Sequence, residues 1–207
     1  METLFEFLEK KTDKKGTLNV FDIDDTLFRS ESKVIIKKDG KIVRELNSGE
    51  FNTYKLKPGE SHDFTQFGSS SIFKKTAVPI DKMFQRAQSA VSKQSREDKT
   101  IIITARSDFD DKEMFLQKFR DHGFPIDQVY VERAGNLEKY KKGTKTHITK
   151  GVVLKKYLST GNYDKIRMWD DAESNLNILL KISALYPDVE AQAFLVDPDT
   201  GNTIRHK

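Results

Sequence analysis

There is no cysteine in the 207 residues. That removes disulfides and thiolate metal sites, and it accords with a reducing compartment. No apolar run approaches the roughly 18 residues needed to span a membrane. The opening METLFEFLEKKTDKKG alternates charged and apolar residues at helical spacing and holds no secretory apolar core. A cytoplasmic protein without membrane contact is expected. Histidine is scarce: His62, His122, His147 and His206 are scattered without metal-ligand spacing, so zinc is not expected. The G-x-x-x-x-G-K-[ST] loop is missing, which gives no support to an NTP-driven kinase of that class. FGSSSIF lacks the G-x-S-x-G pattern of a serine nucleophile, and its serines read as loop residues.

What is present is charge. Charged residues make up 33% of the chain against 36% hydrophobic, which fits a polar globular protein of one domain carrying a small insertion. The formal net charge of +4 is bunched, in KKTDKK, in KKDGK and above all in KYKKGTKTHITK from Lys139 to Lys150. Lysines among glycines and hydroxyls suit a phosphate-rich partner, since each cation can neutralise one phosphate. A solvated lysine-rich loop is the plainer alternative.

Residues 1–13 read as a short amphipathic helix and Leu18 to Ile23 as a strand. KVIIKKDGKIVREL holds two β-rich runs flanking Asp39-Gly40, a pair suited to a tight hairpin turn. Residues 47–77 are irregular, and the aromatics Phe51, Tyr54, Phe64, Phe67 and Phe73 within them suit packing onto the core. A helix is expected to open at Pro79. From Thr100 the rhythm alternates: the wholly apolar strand TIIIT, a helix ended by Gly123, the strand PIDQVYVE, the lysine-rich loop, a helix from Thr149, the strand KIRMW, a helix from Ala172, the strand AQAFLV and a DPDTG turn with a short tail. The fold class is therefore α/β, a Rossmann-like, mostly parallel sheet flanked by helices. One domain is expected over 1–207, with a hairpin-bearing insertion over 29–77 after the first strand, where a cap or flap would sit.

Ligands of such sheets bind beyond the carboxyl ends of the strands. The first strand ends in Asp22, Ile23, Asp24, Asp25 and Thr26, the second in Thr104 and Arg106, the third in Glu132 and Arg133, and a later one in Asp170 and Asp171. Several carboxylates, a hydroxyl and cations together suit a phosphoryl group handled with magnesium. Asp22 can attack phosphorus in line and form an aspartyl-phosphate. Asp24 can protonate the leaving oxygen and later take a proton from water. Asp22, a backbone carbonyl at Asp24 and the Asp170-Asp171 pair can supply oxygens to Mg2+, with Asp171 expected as the direct ligand and Asp170 hydrogen-bonded behind it. Thr104 can donate to a phosphoryl oxygen, a nearby lysine can balance charge, and Thr26 fixes the turn after Asp24.

FDIDDT has the D-x-D-x-T form of the first motif of the haloacid dehalogenase (HAD) superfamily, IIIT ending in Thr104 resembles its second, Lys150 before GVVLKKYL its third, and MWDD its fourth. The motifs occur in order from Val20 to Asp171. The resemblance implies a HAD-type Rossmann-like fold, magnesium dependence, Lys150 as the motif lysine and, from the aspartate two residues after the nucleophile, a phosphatase. A narrower resemblance is to the phosphatase domain of bacteriophage polynucleotide kinase and related nucleic-acid end-processing phosphatases, carried by Thr104 with Arg106, by Arg133 in YVERAGN and by Lys150. It implies that Arg106 and Arg133 lie among the substrate-binding residues and that a nucleic-acid end or nucleotide phosphate is the substrate; Thr26, at the turn after Asp24, is expected beside them. A small-molecule phosphatase and a catalytically idle nucleic-acid-binding scaffold are the alternatives, and surface ion pairing is the plainer role for both arginines.

Overall fold

The architecture grows outward from Gly16–Phe21 (β1), whose residues are buried on both faces. The computed structural model describes residues 14–137 and 146–207. The helix expected over 1–13 and most of the lysine-rich stretch lie outside them. After β1 come Phe28–Arg29 (β2), Val34–Lys38 (β3), Lys41–Leu46 (β4), the helix Ser48–Thr53 (α1), Glu60–Asp63 (β5), the helix Ser70–Thr76 (α2) and Val78–Pro79 (β6). The helix Asp81–Ser92 (α3), Lys99–Thr104 (β7), the helix Lys112–Asp121 (α4) and Tyr130–Arg133 (β8) come next. The chain continues with the helix Thr146–Leu158 (α5), Tyr163–Asp170 (β9), the helix Glu173–Ser183 (α6), Glu190–Val196 (β10) and Thr203–His206 (β11).

Six strands form the main sheet in the order β11-β10-β9-β1-β7-β8, all parallel except the edge strand β11. Alternation along the strands splits the core in two. Leu18, Val20, Ile101, Ile103, Ile166 and Met168 pack with Leu154 of α5 and with Leu176 and Leu179 of α6. Phe21, Ile102 and Trp169 belong to the opposite cluster with Met83 and Phe84 of α3 and Phe115 and Phe119 of α4. The two layers explain why TIIIT is apolar throughout: both faces are covered.

The stretch between β2 and β6 forms its own three-stranded sheet, β4-β3-β5. Its hairpin turns at Asp39 (φ 50°) and Gly40 (φ 76°), the two left-handed positions a two-residue primed turn requires. Phe51, Tyr54 and Phe67 pack on Val34, Ile36 and Leu46, while Phe73 enters the main core and Phe64 stays half exposed. Details differ from the sequence reading, the first at the expected strand PIDQVYVE, of which Ile126–Gln128 is a 3-10 turn and Tyr130–Arg133 the strand. Pro79 pairs with Phe28 in β6, and the helix after it starts only at Asp81, since the Ile80 N–H is spent on the Leu27 carbonyl. The irregular segment 47–77 holds α1, β5 and α2, elements too short for periodicity to reveal. The tail is a strand, β11, held by pairing with β10 and not by any apolar pattern of its own.

Phe119 stands among Phe28, Phe73, Phe115 and Phe124, with ring centroids 4.9–6.3 Å away. Phe119→Ala is expected to cost about 3–5 kcal/mol through the cavity it leaves, read as a lowered urea midpoint with an unchanged slope.

Candidate functional site

The loop after β1 is shaped by one carbonyl. Ile23 accepts N–H groups from Thr26 (3.3 Å), Leu27 (2.9 Å) and Phe28 (2.9 Å), while the Asp25 N–H donates to the Phe28 carbonyl at 2.8 Å. The reversal requires a left-handed residue, and Asp25 takes φ 58°, which aspartate tolerates better than most side chains. Before the turn, the Asp22 N–H still donates to the Trp169 carbonyl at 3.1 Å, so the pairing with β9 runs into the site.

Lys150, 1% exposed on α5, places its Nζ 2.8 Å from Asp22 Oδ1 and 2.8 Å from Asp170 Oδ2. Burial alone would depress this ammonium. Asp170 and then Asp22 outweigh it and hold the group above its ordinary pKa. Asp170 is fully buried, and its Oδ1 accepts from the Ala172 N–H at 2.9 Å and from Asn175 Nδ2 at 2.8 Å. Its oxygens are thus occupied from both sides. Asp171 has a lighter load, a 3.4 Å hydrogen bond donated by the Thr26 hydroxyl. Burial, reinforced by Asp170 and Asp22, raises the Asp171 carboxyl well above the usual carboxylate range. Asp22 is pushed up to about 7, chiefly by burial, against the lowering effect of Lys150 and with further raising by Asp170 and Asp24.

Asp22, Asp170 and Asp171 each offer a carboxylate oxygen, and the three oxygens lie within 4.8 Å of one another. Three buried or half-buried carboxylates share one ammonium, so the cluster lacks positive charge. An all-oxygen, anionic donor set of this kind fits a hard divalent cation such as Mg2+. Asp22 and Asp171 are the members with coordination capacity to spare.

A second charged centre lies beside the first. Arg106, 2% exposed, donates from Nε to Asp24 Oδ2 (2.8 Å) and from Nη2 to Asp24 Oδ1 (2.6 Å). Its Nη1 donates to the Phe67 carbonyl at 2.9 Å, and its guanidinium carbon lies 4.8 Å and 4.9 Å from the ring centroids of Phe67 and Phe73. Thr104, fully buried at the end of β7, accepts the Arg106 backbone N–H at 3.1 Å. Arg133 at the end of β8 pairs with Asp108. The expected residues therefore fall into groups: Asp22, Lys150, Asp170, Asp171 and Thr26 together, Asp24 with Arg106 and Thr104, and Arg133 with Asp108. Both arginines expected at the substrate are engaged with carboxylates of this chain.

Two further residues escaped the sequence reading. Asn175 anchors Asp170; its signal was a lone amide beside Leu176 on the buried side of an apolar helix. Gly135 lies after β8 where a Cβ would stand 2.4 Å from the Ala105 carbonyl oxygen and 2.9 Å from that of Arg106, so only glycine lets this segment back the Arg106 main chain. An open cavity of about 640 Å³ lies between the insertion and the loop after β7, with Phe64, Gln66, Ser69, Ile72, Ser107 and Asp108 in its lining. Among the described residues no helix is long and apolar enough to cross a membrane.

No protein-family model and no curated protein matches the sequence. Among solved structures, the chain is similar to the HAD domain of effector protein Lem4 from Legionella pneumophila. An inactive mutant of that domain superposes with a TM-score of 0.51 at 9% identity, over 89% of this chain and 87% of that one. A second structure of the domain gives 0.50 at 10% identity, over 90% and 88%. These comparisons lend no support to the narrower resemblance to the phosphatase domain of bacteriophage polynucleotide kinase. At such identity the likeness is one of fold, and the fold is that of a HAD domain: a mainly parallel sheet between helical layers, with a hairpin-bearing insertion after its first strand.

Proposed function

We propose that the chain is a magnesium-dependent phosphomonoesterase with Asp22 as nucleophile. The observation that carries this reading is the contact of one buried ammonium, Lys150, with both Asp22 and Asp170 at the strand ends, beside the lightly bonded Asp171. A turn or a helix cap has no use for such a cluster.

In this reading Asp22 attacks phosphorus as the bond to the leaving oxygen breaks, and an aspartyl-phosphate forms. Asp24 gives its proton to the leaving oxygen, then accepts one from the water that cleaves the acyl phosphate. Lys150 keeps Asp22 oriented and offsets the charge that accumulates on the phosphoryl oxygens, and Thr104 donates its hydroxyl proton to one of them. Asp22, Asp171 and the Asp24 carbonyl would hold Mg2+, with Asp170 bracing Lys150 behind. The ion, when bound, supplies electrostatic neutralisation of the phosphate.

Two substrate readings arise from different residues. The lysine-rich stretch 139–150 favours a nucleic-acid end or a nucleotide phosphate. The pairing of Arg106 with Asp24 and of Arg133 with Asp108, which leaves neither arginine free for a polymer backbone, favours a small phosphate ester.

Phosphate release from a nitrophenyl ester and from a 3′-phosphorylated oligonucleotide in magnesium tests both. The wild type is expected to turn over at least the small ester. Asp22→Asn is expected to lose turnover entirely while keeping its circular dichroism spectrum, and chelation to silence the wild type reversibly. Absence of release from either substrate by the wild type would sink the reading. Binding is expected to register in stability as well. At magnesium 100-fold above its dissociation constant the folded state gains about 2.7 kcal/mol, seen as a raised thermal midpoint in the wild type. In Asp171→Asn that gain is expected to shrink sharply.

A further inference from the structure

The least expected feature of the site is the placement of Arg106. Among the described residues it heads the fully buried side chains by volume, and taking a guanidinium out of water costs several kcal/mol unless it is paired and hydrogen-bonded. Here each of its three side-chain nitrogens has an acceptor. Nε and Nη2 grip the two oxygens of Asp24; Nη2 also reaches Ser30 Oγ at 3.1 Å and Ser32 Oγ at 3.4 Å; Nη1 holds the Phe67 carbonyl. Phe67, Phe73 and Phe109 surround its guanidinium carbon at 4.8 Å, 4.9 Å and 5.9 Å from their ring centroids.

These partners come from three parts of the chain. Asp24 lies in the loop after β1, Ser30 and Ser32 where the chain enters the insertion, and Phe67 in the single turn Thr65–Gly68 within it. Arg106 itself is pinned through its backbone to Thr104 at the end of β7. A guanidinium so committed is not disposed to bind a phosphate. What it does is fix the plane of the Asp24 carboxyl group, which would otherwise turn about its terminal bond. Two parallel hydrogen bonds use one lone pair on each oxygen, and the Ser30 hydroxyl donates to Oδ1 as well at 3.4 Å, which leaves Oδ2 the oxygen with a lone pair for the proton exchanged with the leaving group or water.

Building on the phosphatase reading above, we propose that Arg106 is the positioning residue for Asp24, and that it ties the aim of Asp24 to the seating of the insertion. The reacting atoms are touched by Asp24; Arg106 acts only through it. Lysine at this position would keep the charge and lose the fork, so the two are not interchangeable here.

The test compares an alkyl phosphate, whose leaving oxygen needs a proton, with a nitrophenyl phosphate, whose leaving oxygen needs little help. Arg106→Lys is expected to lower kcat about 100-fold on the alkyl ester, the scale of a misplaced catalytic group, and only a few-fold on the nitrophenyl ester, with KM nearly unchanged on both. In an Asp24→Asn background the same substitution is expected to add nothing. Equal losses on the two esters, a change confined to KM, or additive effects with Asp24→Asn would overturn the proposal. Should Arg106→Lys fail to fold, Ser32→Ala keeps the arginine and removes one of its acceptors while leaving the Ser30 contact with Asp24 in place; a smaller loss with the same ester preference is expected, and an indifferent one overturns the proposal. A wild type inert on both esters refutes the phosphatase reading itself and this inference with it, an outcome set apart by the wild-type control.

Discussion

The structure turns on one ammonium held between two carboxylates. β1 and β9 pair in parallel with Phe21 opposite Trp169, so Asp22 and Asp170 leave the sheet side by side on neighbouring strands. Strands in a sheet lie only about 4.8 Å apart, and two anions at that spacing, buried, would work against the pairing that put them there. Lys150 meets both and removes most of that conflict. It does so from α5, on the layer formed with α6, and α6 contributes Asn175 to the far side of Asp170. One layer of helices is thereby joined to the strand ends through polar contacts as well as through leucine and isoleucine packing.

The other helical layer meets the site differently. Its core is aromatic, with Phe28, Phe73, Phe84, Phe115 and Phe119 in edge-to-face and tilted contact. Arg106 sits at the end of this cluster, satisfied by Asp24 and a backbone carbonyl and flanked by rings. Aromatic faces attract a cation, and their edges pack without polar demands. The same cluster can therefore serve as hydrophobic core below and as the wall of a charged pair above. Lys150 from α5 and Arg106 from the loop after β7 thus meet the chain beyond the same end of β1, the first at Asp22 and the second at Asp24.

Much of this was legible in the sequence because parallel strands announce themselves. A short apolar run covered on both faces must end abruptly, and the residues just beyond its end stand at the ligand-binding edge. FDIDDT, IIIT and MWDD could thus be set on strand ends, and Lys150 on the helix between two of them, before any coordinates. Which carboxylate meets which cation was not legible. Asp24 and Arg106 are separated by 82 positions, and their meeting depends on a turn at Asp25 and on the close approach that Gly135 permits. The insertion was legible only at its hairpin, where Asp39-Gly40 dictates local geometry. β5, with the sequence ESHD, has no strand character of its own and exists because β3 offers it an edge. β11 owes its form to β10 in the same way.

The two-residue pair of β2 with β6 is small, yet it decides how the insertion relates to everything else. Phe28 stands opposite Pro79 and Arg29 opposite Val78, so the chain departs and comes back through adjacent points. The distance the excursion must span is thus set by that pair and not by what lies between. Lengthening such a closed excursion raises its entropic cost only logarithmically. The positions from β3 to β5 are free to change size and character while the six-stranded sheet keeps its register. What would be lost with the whole segment is the grip of Ser30, Ser32 and Phe67 on Arg106 and the packing of Phe73 in the main core. A lineage altering what this site accepts could therefore rewrite much of the segment, provided those attachments were kept or replaced.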